Sequence, residues 1–153
     1  MGAHSRQQAD PAGLMGWAGG FAGQAHRFLF WDPVRLIELF SGFNLMAWAS
    51  LFWRQPELLA RDTYAAFQGL GALPWAALLL TVALSQLAPV FFRFRHAANL
   101  RFVAMAAASG AWLVIASNFI STGVSTTAGA NYLLLSCACM VSGAWLGWMS
   151  RNS

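Results

Sequence analysis

Residues 102–150, FVAMAAASGAWLVIASNFISTGVSTTAGANYLLLSCACMVSGAWLGWMS, hold no Asp, Glu, Lys or Arg over 49 consecutive positions. About 20 apolar residues cross a hydrocarbon core of roughly 30 Å. The stretch contains two such lengths, FVAMAAASGAWLVIASNFI over about 102–120 and ANYLLLSCACMVSGAWLGWM over about 130–149, joined by the neutral polar turn STGVSTTAG. Working toward the N-terminus, a second charge-free run of 30 residues separates Asp62 from Arg93. It predicts a span over about 70–92, with Pro74 and Pro89 near its ends, where a missing amide costs least.

A further span is expected over about 34–53, VRLIELFSGFNLMAWASLFW. Asp32-Pro33 suits its start, because aspartate can cap free amides and proline at the first helical position gives up no internal hydrogen bond. Arg35 and Glu38 in its first turns make it the weakest span, and a helix lying in the interface is the alternative. Arg35 can snorkel, and Glu38 sits near the positive end of the helix dipole. Either Arg35 or Arg93 is the expected partner of Glu38.

The whole chain agrees with this reading. Its 153 residues are 58% hydrophobic and 9% charged, with a mean hydropathy of +0.53, whereas a soluble domain carries roughly 25% charged residues. The expected fold is all-α: a polytopic membrane protein forming a four-transmembrane-helix bundle. Residues 1–31 read as a flexible, interfacial lead, 32–150 as the membrane domain and 151–153 as a tail. Between the first two spans, residues 54–69 form a loop with a short amphipathic helix presenting Leu58, Leu59, Tyr64 and Phe67. RFRHAANLR, residues 93–101, is a basic connection.

All nine basic residues are arginine, and the net charge of +4 is not gathered into the stripe that a nucleic-acid surface needs. With an even number of spans, Arg6, Arg27, Arg35, Arg93, Arg95, Arg101 and Arg151 fall on one side and only Arg54 and Arg61 on the other. The positive-inside rule then puts both termini in the cytoplasm of a bacterial inner membrane. Arg27, Arg35, Arg93, Arg95 and Arg101 are the expected lipid-headgroup contacts.

Small residues recur at helical spacing. Ser136, Cys139, Gly143 and Gly147 form a stripe on the last span, and Ala104, Ala108 and Ala111 one on the third. Such faces let backbones approach closely, either within the chain or between subunits. Glu38, Ser41 and Asn44 form a candidate intramembrane polar site, since an ionisable group in a span is costly to retain. The bland reading is an ion-paired Glu38 with serines bonded to their own backbone.

His4, His26 and His96 lie outside the spans, Cys137 and Cys139 lack further ligands, and no phosphate loop or serine–histidine–acid set is present. These patterns predict a non-enzymatic protein with no cofactor or metal, acting as an accessory or scaffold that packs with itself or with another membrane protein. A small proton-coupled transporter is an alternative resting on Glu38. Most of the eight tryptophans lie near span ends or in the lead, as an aromatic belt would place them.

In layout, DPVRLIELFSGFNLMAWASLFW, the turn FFRFRHAANLR and the paired spans around STGVSTTAGANYLLLS resemble small four-span membrane proteins of tailed phages and prophages. Some of those are holins. The resemblance implies a phage or prophage origin and makes a holin-like, pore-forming role the first alternative, ahead of the transporter.

Overall fold

A computed structural model describes residues 32–92, 97–122 and 127–151. Four helices carry the chain: α1 (Pro33–Arg54), α2 (Ala72–Phe91), α3 (Ala97–Ser121) and α4 (Ala128–Arg151). All four are long and apolar enough to span a membrane, and α1 has the lowest mean hydropathy, 1.3 against 1.5 to 1.7. The protein is a four-helix bundle of an integral, multi-pass membrane type. The lead and Arg27, the connection bearing Arg93, Arg95 and His96, and residues 123–126 lie outside the described residues.

The bundle is apolar outside and partly polar inside. Phe40, Leu84, Val103, Leu134 and Val141 are exposed, while Glu38, Ser41, Gln86, Asn118, Ser136 and Ser142 are buried. A water-soluble bundle has the opposite polarity, so hydrocarbon is the solvent that this surface fits. On α1 the inward residues Val34, Glu38, Ser41, Leu45, Ala49 and Phe52 recur every three or four positions, which puts them on one face of a helix.

Helices α3 and α4 form an antiparallel pair with little between them. Going up α3 and down α4, Phe102 lies at Gly147, Met105 at Gly143 and Ile120 at Gly129. Ser109 and Ser136 mark the middle. Each hydroxyl bonds the other residue's carbonyl, at 3.0 and 2.8 Å. The small-residue stripes are thus packed inside the chain: Ala104, Ala108, Ala111, Ser136, Cys139 and Gly143 are buried, and Gly147 is half-buried. Helix α1 meets α2 at Gly42, where an added Cβ would come within 2.9 Å of the Leu87 side chain.

Two boundaries differ from the sequence expectation. Helix α3 starts at Ala97 rather than Phe102, which takes Arg101 out of the expected basic connection and into the helix. Instead of one amphipathic helix, residues 54–69 form two 3-10 turns, Pro56–Ala60 and Asp62–Phe67, divided by an extended Arg61 (φ −83°, ψ 141°). The cause is the shortness of the apolar pairs, which reach the bundle only if the chain bends between them. Leu58, Leu59 and Phe67 are buried and Tyr64 is half-buried.

Two side-chain bonds pin this loop to the bundle end and a third closes it on itself. Asn118, fully buried, donates to the Thr63 carbonyl at 2.7 Å. Trp75 donates to the Phe67 carbonyl at 3.1 Å and Gln68 to that of Leu59 at 2.9 Å. Beneath it, Trp48, Phe52, Tyr64, Phe67, Phe119 and Tyr132 make mutual ring contacts with centroids 5.4 to 6.5 Å apart. Aromatic edges and faces attract at this spacing, so that end of the bundle is filled with rings.

Candidate functional site

Apart from Asn118 at the loop end, the buried polar residues gather in the middle and the other half of the bundle. Helix α1 presents Glu38 and Ser41 one turn apart on its inward face. From the first turns of α3, Arg101 reaches Glu38 with Nε on Oε1 at 2.7 Å and Nη2 on Oε2 at 2.9 Å. This is a two-pronged guanidinium–carboxylate pair, the strongest common form of charged hydrogen bond. Glu38 is 1% exposed and the Arg101 side chain 15%. The expected placement of Arg101 at the lipid headgroups is therefore corrected: its guanidinium turns inward. Arg101, rather than only Arg35 or Arg93, supplies Glu38 with an ion pair.

Ser41 joins all four helices. Its hydroxyl donates to Gln86 Oε1 of α2 at 3.0 Å and accepts from Trp112 Nε1 of α3 at 2.8 Å. The Cys139 thiol of α4 lies 3.5 Å from the same oxygen. Gln86 uses its amide nitrogen on Met105 Sδ at 3.2 Å. Among the described residues, no buried side-chain nitrogen or oxygen lacks a partner. In hydrocarbon a lost bond cannot be made up by water, which explains why this cluster is closed on itself.

Asn44 does not join Glu38 and Ser41. Six residues beyond Glu38 it has rotated toward the groove between α1 and α4, where its Nδ2 bonds the Phe40 carbonyl at 2.8 Å. Thr81, Ser85 and Ser117 likewise bond carbonyls of their own helices. The residue that sequence reasoning missed is Trp112, which is wholly buried and stacked on Tyr132 at 5.5 Å with 6° between planes. Its signal was position: it sits mid-span, whereas a belt tryptophan sits at an end.

Among the described residues, three grooves open on the surface of the bundle. One of about 580 Å3 lies between the ends of α3 and α4 and is lined by Asn99, Phe102, Gly147 and Trp148. Another, of about 420 Å3, separates α1 and α4 and includes Asn44, Asn131 and Tyr132. A third, of about 410 Å3, separates α1 and α2 over a floor of Ala49, Ala76 and Ala77. Among the described residues no group of three or more His, Cys, Asp or Glu converges.

The outer face of α3 is the other distinctive feature. Ala106, Ala107 and Gly110 are exposed, and a Cβ added at Gly110 would find no atom within 4 Å.

Comparison of the chain with protein-family models, with curated proteins and with solved structures gives no match.

Proposed function

We propose that this chain is a non-enzymatic accessory or scaffold protein of a membrane, working by lateral packing against a second copy or another integral membrane protein. The observation that carries this reading is Gly110 at the centre of the lipid-facing side of α3, with Ala106 one turn before it. Glycine in a helix costs about 1 kcal/mol relative to alanine. At Gly143 and Gly147 that cost brings Met105 and Phe102 into contact; at Gly110 no atom of the described residues takes up the space. A backbone from outside can do so, because small residues four apart let helices approach in lipid.

The polar interior supports the same reading. Glu38 is neutralised by Arg101 and Ser41 is engaged by three helices, so these groups hold the bundle together rather than face a solute. That argues against a proton-coupled carrier built on Glu38. The arginine asymmetry supports a bacterial inner membrane with cytoplasmic termini, and a reporter fused within the Pro56–Phe67 loop should then read as external.

The test is the mass of the protein extracted in mild detergent and in lipid nanodiscs, for the natural chain and Gly110→Leu. The reading expects a complex that Gly110→Leu reduces to monomer while helical content is kept. A partner-free monomer in both media overturns it. An ion leak on controlled expression would reassign the same lateral contact to a holin-like pore.

A further inference from the structure

The groove between α1 and α2 is graded in polarity along its length. Arg54, the last residue of α1, stands at its mouth, with Trp53 beside it; Ser50 is one helical turn deeper, about 6 Å at 1.5 Å per residue. The rest of the lining is apolar, Ala49, Ala76, Ala77 and Leu80, the last eight residues into α2, about 12 Å from its start.

Two side chains here are unspent. Arg54 is exposed and forms no ion pair among the described residues, even with Glu57 and Asp62 in the adjoining loop. Ser50 makes no hydrogen bond among the described residues, whereas Thr81 and Ser117, also exposed hydroxyls on spans, both bond the carbonyl four residues earlier.

We propose that this groove is a binding site for one diacyl phospholipid with an anionic headgroup. Its phosphate meets the Arg54 guanidinium, an ester carbonyl accepts from the Ser50 hydroxyl, and one acyl chain lies over the alanine floor toward Leu80. The spacing fits: in a phospholipid the ester group sits about one helical turn below the phosphate, and the charge, the donor and the apolar floor occur here in that order. A guanidinium suits this role because it offers paired donors to phosphate oxygens. Trp53 supplies the amphipathic ring that favours the headgroup layer.

The experiment is native mass spectrometry of the full chain with equal amounts of phosphatidylglycerol and phosphatidylcholine. Retention of phosphatidylglycerol should exceed that of phosphatidylcholine by roughly fivefold, the scale of one surface cation acting on an anionic lipid. Arg54→Gln should abolish the preference, and Ala77→Leu, which fills an exposed part of the groove, should lower retention of both lipids. Arg61→Gln, on the loop outside the groove, should change neither. Equal retention of the two lipids by the natural chain, or an unchanged preference in Arg54→Gln, overturns the proposal.

Discussion

Arg101 holds Glu38 with both prongs of its guanidinium, at 2.7 and 2.9 Å, across 63 residues of sequence and between two helices of the same bundle. The two partners are unequal. Arg101 starts near the end of α3 on a long side chain that can swing to the headgroups, whereas Glu38 is 1% exposed on a short one. Removing Arg101 strands a carboxylate; removing Glu38 strands a cation that can escape.

Arg101→Leu should therefore cost about 3–5 kcal/mol, and Glu38→Gln distinctly less. The double variant Glu38→Leu with Arg101→Leu should recover much of the loss, since neither charge is then buried. Reversible unfolding in mixed detergent micelles gives all three values. If Glu38→Gln proves as damaging as Arg101→Leu, the escape argument fails.

Why was this pair not visible in the sequence? Three of the four spans were legible because charge gaps of 49 and 30 residues leave little else to fold, and the first was legible from its Asp32-Pro33 start and the apolar run that follows Glu38. The small faces of α3 and α4 were legible because period alone identifies them. The partner of Glu38 was hidden by the start of α3: with Arg101 assigned to a connection, its only visible role was at the headgroups. One extra turn of helix, from Ala97, moves it against Glu38. Asn44 misled for a related reason, since residues at three-residue intervals drift around a helix and by the third have left the face. The Ser41 junction depends on four helices meeting at one depth, which no local pattern encodes.

Ser41→Ala removes an acceptor from Trp112 and a donor from Gln86 at a fully buried position between the four helices. A loss of about 1–3 kcal/mol is expected for buried groups left unpaired. Ser50→Ala, at an exposed position on the same helix, should stay within about 0.5 kcal/mol. Thermal unfolding in one detergent checks both. Equal melting temperatures for the two variants would mean that the Ser41 junction contributes nothing.

Asn118→Ala should release the loop. Its amide is the tie between α3 and Thr63, and Arg61 is the exposed extended residue between the two 3-10 turns. A protease cutting after arginine needs an extended, mobile segment, so cleavage at Arg61 should rise about tenfold, matching a bond worth roughly 1.4 kcal/mol. Unchanged cleavage would show that the aromatic cluster alone holds the loop.

Three glycines separate packing inside the chain from packing outside it. At Gly143 an added Cβ would lie 3.3 Å from the Met105 Cβ, and at Gly129 2.8 Å from Ile120 Cγ1; at Gly110 it would meet nothing. Gly143→Leu forces an entire side chain between α3 and α4 and should cost more than the 1–3 kcal/mol usual for overpacking, because the Ser109–Ser136 bonds one to two turns away need the same close approach. Gly129→Ala should cost less because it adds only one methyl group, although Ile120 Cγ1, held on a β-branched carbon, must shift to admit it. Gly110→Ala should stabilise the isolated chain by up to about 1 kcal/mol through helix propensity. Leu134→Ile, at an exposed site on α4, is the control expected to keep recovery unchanged. Recovery and unfolding of the monomer in detergent report the internal seam, and mass in nanodiscs reports the external face. Gly143→Leu should lower the first without a specific effect on the second, and Gly110→Leu should do the reverse. If Gly143→Leu folds as well as the control, the α3–α4 seam is looser than these distances imply, and close glycine packing is not what holds this half of the bundle.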